Sequence, residues 1–150
     1  LYFPDKKAIF VELVETLSHG LRAAIAEAVA DAPSRVEVER RGFEVFFDYI
    51  TDHRSFYKLV RESEFVAPDL FRSYYDGFLD GYVPGLTEAM EKGEIGEGID
   101  PEVLAFCLMG VGEIIGLRYV VWGDRPLDPD VFEQVWRFML RGLGKPEEDA

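Results

Sequence analysis

Apolar residues along this chain recur three and four positions apart, and strict alternation never persists beyond a few residues. A repeat near 3.6 residues keeps such positions on one helical face, so the pattern predicts an all-α protein. Phe10, Val14, Leu17, Leu21, Ala24 and Ala28 draw one stripe along a first helix. That helix is expected to start after Asp5, whose carboxylate can cap free N–H groups, and to run toward Ala30. Ser34 to Glu37 reads as a capping box opening a second helix to about Asp52, with Phe43, Phe46, Phe47 and Ile50 on one face. A short third helix is expected from Ser55 to Glu64. A fourth follows from Pro68 to about Lys92, with Phe71, Tyr74, Tyr75, Phe78, Tyr82, Leu86 and Met90 on a broad face. Pro84 lies inside it and is expected to kink it.

Gly93 to Gly98 is the clearest loop, and Asp100-Pro101 and Asp128-Pro129 are matching helix starts. The helix from Pro101 to about Trp122 is apolar on nearly every side, whereas the last one is amphipathic through Phe132, Val135, Trp136, Met139, Leu140 and Leu143. The segment Val103–Trp122 has the length of a membrane span, but Glu113 and Arg118 argue against one. Cover by a second subunit explains it better. Gly110, Gly112 and Gly116 allow close helix approach, so an intersubunit four-helix bundle of the last two helices is expected, with Gly112, Gly116, Val120, Phe132, Trp136 and Met139 at the dimer interface. The other reading is the central helix of a monomeric bundle.

The chain has 150 residues and 48% hydrophobic content, enough for one domain with a core. Its net charge of −13 excludes a uniformly basic nucleic-acid-binding surface. The single cysteine, Cys107, excludes an intrachain disulfide, and in an apolar helix it is expected to pack. His19 and His53 are too isolated for a metal site, the spacing of Gly110, Gly112 and Gly116 does not fit a phosphate loop, and no catalytic motif is recognisable. No enzyme activity, metal or cofactor is expected, and a cytoplasmic address fits the cysteine usage and the lack of a signal-peptide pattern.

Aromatic residues are the remaining resource. Phe43, Phe46, Phe47, Tyr74, Tyr75, Phe78, Tyr82 and Phe106, with Met109 and Glu113, are expected to line a ligand-binding pocket; an ordinary core is the alternative. Glu113 needs a partner, for which Arg118 of another subunit, Arg137 and Arg141 are all open.

The opening residues Tyr2-Phe3, Pro4-Asp5, Lys6 and Ile9-Phe10 resemble, in order, the junction that ends the DNA-binding domain of TetR-family transcription regulators. Lys7 departs from that pattern, in which an acidic residue is commoner. The segment His53 to Glu62, the Gly93 turn and the Gly-punctuated helix ending at Trp122 follow in the family's order. The resemblance implies a six-helix, effector-binding and dimerisation domain over residues 5–145 and a junction remnant over 1–10, while the charged end of the chain reads as a disordered tail at 146–150. It implies a homodimer that binds operator DNA through a helix-turn-helix preceding this chain, with Tyr2 and Lys6 near DNA phosphates. It also implies release, as a repressor, by a small apolar effector, for which the aromatic residues and the His53–Glu62 segment suggest a fatty-acyl or aromatic-acid derivative. The rival is a helical homodimer that binds a partner without any effector.

Overall fold

The computed structural model describes residues 2–144, with side chains from Lys6 onward. Among them are six α-helices and no strand. They are α1 (Tyr2–Val29), α2 (Arg35–Asp52), α3 (Arg54–Val66), α4 (Pro68–Glu91), α5 (Pro101–Ile115) and α6 (Pro129–Gly142). The expected all-α bundle of about six helices is the observed architecture.

Local chemistry accounts for most boundaries. Ser34 accepts a hydrogen bond from the Glu37 N–H at 3.2 Å and starts α2. Asp100 accepts from the Glu102 N–H at 2.9 Å, and Asp128 from the Asp130 N–H at 2.8 Å, each just ahead of a proline that gives up no helical bond. One start differs: α1 already runs from Tyr2, so Asp5 lies inside the helix and is not its cap. The expected tail beyond residue 145 lies outside the described residues.

Helix α4 continues through Pro84, which removes the donor that the carbonyl four residues earlier would use. Helix α5 continues past Ile115 with a wider winding over Gly116–Val121, where the Trp122 N–H reaches back five residues to the Leu117 carbonyl at 2.9 Å. Two backbones meet closely at the far end: the Gly96 N–H donates to the Leu143 carbonyl at 2.8 Å, and a Cβ on Gly96 would lie 3.1 Å from the Gly144 Cα.

The core has two parts. The larger joins α2, the end of α4, α5 and α6 through Phe43, Phe47, Ile50, Leu86, Leu104, Leu108, Val120, Trp136, Met139 and Leu140. The smaller joins α1, α3 and α4 through Val14, Leu21, Phe56, Val60 and Tyr74. Phe46 packs against both. Arg40 ties α2 to α6, pairing with Glu133 and lying over the Phe132 and Trp136 rings at 5.2 and 5.6 Å.

Helix α5 with its extension, Pro101–Val121, is long and apolar enough to cross a membrane by length and composition. One of its faces is buried inside its own chain: Leu104, Ala105, Leu108, Gly112, Gly116 and Val120 are all buried there. Its outer side, with Val103, Phe106 and Ile114, is exposed.

Candidate functional site

A cavity of about 360 Å³ opens where the two cores meet. Helix α1 contributes Arg22, Ile25, Ala26 and Val29, and α2 contributes Arg35, Val38, Glu39, Gly42, Phe43 and Phe46. From α4 come Tyr74, Tyr75, Gly77, Phe78, Gly81 and Tyr82, and from α5 Met109, Gly112 and Glu113. Its size is at the lower end for small-molecule sites, and its apolar wall with few polar groups is the usual composition.

The polar groups fall into two sets. At one end Glu39, only 3% exposed, pairs with Arg35 at 2.6 Å and accepts the Tyr82 hydroxyl. Burial pushes the Glu39 carboxyl up, against the Arg35 charge and the Tyr82 bond. Its remaining bonding capacity is largely spent within the chain. At the other end the Glu113 carboxylate accepts one hydrogen bond, from the Tyr75 hydroxyl at 2.9 Å. Burial also raises the Glu113 carboxyl; the Tyr75 bond and the more distant Arg61 charge pull it down less. No Lys or Arg forms an ion pair with Glu113 among the described residues, so Arg137 and Arg141 of this chain are not its partners.

The tyrosines around Glu113 remain neutral donors. Burial and the Glu113 charge push Tyr57 up to about 12, and raise Tyr74 and Tyr75 further. Tyr57 donates to the Glu113 backbone carbonyl at 2.6 Å, clamping α3 to α5 just before the wider winding begins.

Two arginines of the cavity wall brace against glycines of α4. A Cβ on Gly77 would lie 2.1 Å from Arg22 Nη1, and one on Gly85 would lie 2.2 Å from Arg35 Nη1. Each guanidinium occupies the space of a missing side chain. Gly81, midway between them in sequence, lines the cavity and has open space where a Cβ would project.

The structure therefore brings Phe43, Phe46, Tyr74, Tyr75, Phe78, Tyr82, Met109 and Glu113 around one cavity. Phe47 and Phe106 do not belong to it. Phe47 points into the larger core, edge-on to Phe132 at 6.2 Å, because its position on α2 faces α6. Phe106 lies on the outer side of α5 and is 46% exposed. Arg22, Arg35, Glu39 and the α4 glycines were not anticipated. Their signals were Gly77, Gly81 and Gly85 spaced by four, and the Arg35–Glu39 pair at the same spacing.

The expected interface residues also need correction. A Cβ on Gly112 would meet Phe43 at 2.9 Å, and one on Gly116 would meet Ile50 at 2.5 Å, so both glycines serve the approach of α5 to α2 in the same chain. Val120, Trp136 and Met139 are buried, and Phe132 packs against Phe47 and beneath Arg40. These positions are core. The opposite side of α5 and α6 carries Val103, Phe106, Gly110, Ile114 and Phe138, with Ile114 and Phe138 60% and 65% exposed beside a groove between the helices. Cys107 is exposed on α5, not packed as expected. Lys6 is exposed on α1, and the Tyr2 side chain lies outside the described residues.

No protein-family model matches this chain, and neither does any curated protein.

Proposed function

We propose that this chain is the effector-binding and dimerisation domain of a cytoplasmic TetR-like transcriptional regulator, a repressor released by a small, largely apolar molecule. Operator DNA is bound through a helix-turn-helix segment ahead of Leu1, with Tyr2 and Lys6 beside the phosphates. This domain itself is a binding module and carries out no chemistry.

The observation behind this reading is the aromatic cavity between the two cores. It is walled by α1, α2, α4 and α5, so a molecule within it touches both α1, which carries the junction-like sequence, and α5, which carries the outer apolar face. An effector that prefers one arrangement of those helices shifts the population of DNA-binding states by its differential affinity.

Association uses the outer side of α5 and α6. Val103, Phe106, Ile114 and Phe138 form an exposed apolar surface, and Gly110 has open space where a side chain would project. A second copy covers it.

Native mass spectrometry of protein purified from its host, with a thermal-shift screen over small apolar ligands, tests the effector site. Bound ligand or a ligand-dependent rise in Tm supports it, and the absence of both overturns it. Sedimentation tests association: a particle of 17.1 kDa at micromolar concentration rules out the dimer.

A further inference from the structure

The charges of the cavity are unevenly balanced. Arg35 and Tyr82 satisfy Glu39, whereas Glu113 has only a neutral hydroxyl donor. Glu113 is also well withdrawn from solvent, where an opposite charge interacts more strongly than it does in water. Aromatic rings make up much of the remaining wall, and a ring presents negative electrostatic potential at its face, favourable to cations. Arg22 of the cavity wall forms no ion pair with an acid among the described residues; it is half-buried against Gly77, where solvent screens it, and Arg61 acts on Glu113 from farther away. The net charge of −13 makes the field around the molecule attractive to cations and repulsive to anions.

We propose that the cavity takes a lipophilic cation, an aromatic or bulky aliphatic amine, with the Glu113 carboxylate as its counter-ion and the surrounding rings as its cage. The inference rests on the reading of this cavity as the effector site, and it replaces the acyl or aromatic acid suggested by the sequence with a ligand of opposite charge. The amine enters between the Arg22 and Arg35 braces, past Gly81. Its apolar body lies against Phe43, Phe46 and Phe78, and its ammonium group donates to the Glu113 oxygen that Tyr75 leaves free. Groups facing Glu113 are Tyr74 and Tyr75 from α4 and Tyr57 and Arg61 from α3; the three tyrosines stay neutral, so the carboxyl is the group that titrates.

Three probes sharing one ring system separate the possibilities: naphthylmethylammonium, naphthylmethanol and naphthylacetate, titrated calorimetrically into the whole chain at neutral pH. The ammonium is expected to bind at least about tenfold more tightly than the alcohol, with the carboxylate weakest. Glu113→Gln removes that preference and leaves the alcohol unchanged. Should Glu113→Gln fail to fold, the wild-type chain still decides: lowering the pH weakens the ammonium and not the alcohol once Glu113, its carboxyl raised by burial, takes up a proton. A carboxylate that binds tightest, an alcohol that binds as well as the ammonium, or parallel pH profiles overturns the cation inference and leaves the effector cavity standing. Binding of none of the three, by calorimetry and by thermal shift, overturns both.

Discussion

Tyr75 donates its hydroxyl to Glu113 at 2.9 Å and so joins α4 to α5 across the cavity. Removing the donor leaves a largely buried carboxylate without its one side-chain partner. Tyr75→Phe is expected to destabilise the fold by about 1–3 kcal/mol, the cost of an unsatisfied buried polar group. Urea unfolding measures it. An unchanged midpoint would mean that water replaces the hydroxyl at no cost.

Burial raises the Glu113 carboxyl in the folded chain above its unfolded value. The folded state therefore holds this proton more tightly, and the group's contribution is fully present below the unfolded value and lost as pH rises through the folded one. The ligand-free protein should gain stability relative to Glu113→Gln as pH is lowered from neutral toward about 5. Paired melting curves of the two proteins across that range check the sign, and a difference that is flat or reversed contradicts it.

Gly116 and Gly110 separate the inner from the outer side of α5. A side chain on Gly116 collides with Ile50, whereas one on Gly110 meets open space. Gly116→Leu should lower Tm sharply through overpacking, at about 1–3 kcal/mol or more. Gly110→Leu should leave the unfolding of the single chain nearly unchanged while altering sedimentation at micromolar concentration, since it adds bulk to the proposed contact surface. Reversed behaviour of the two variants would place the interface on the inner side.

Gly81 is helical, lines the cavity, and meets nothing where a Cβ would project. Gly81→Ala should raise stability by about 0.5–1 kcal/mol through lower chain entropy in the unfolded state. If ligands enter past Gly81 as proposed, the same methyl group narrows that route, so stopped-flow association of naphthylmethylammonium should slow while equilibrium affinity changes little. An association rate equal to that of wild type would mean that ligands reach the cavity elsewhere.

Helix number, most helix boundaries and the apolar faces were legible in the sequence because each depends on neighbours within a turn or two. Ser34, Asp100 and Asp128 cap their helices through backbone groups no more than three residues away. The start of α1 was misplaced because a residue able to cap need not do so when the helix extends beyond it. Tyr74, Tyr75, Phe78 and Tyr82 were singled out by helical spacing, which places them on one face of α4 but does not say what stands opposite.

Partners across the fold decided everything else. Phe46 and Phe47 are adjacent on α2, yet one lines the cavity and the other faces Phe132, a division set by where α6 lies. Gly112 and Gly116 looked like contact points for a second subunit until the positions of Ile50 and Phe43 showed that α2 fills that space. The sequence by itself determined an acidic, all-helical domain rich in aromatic faces, since composition and a short-range period suffice for that. Only the tertiary structure decided which carboxylate was paired and which was not: Glu39 has Arg35 four residues away on its own helix, whereas the donor to Glu113 comes from Tyr75 on another.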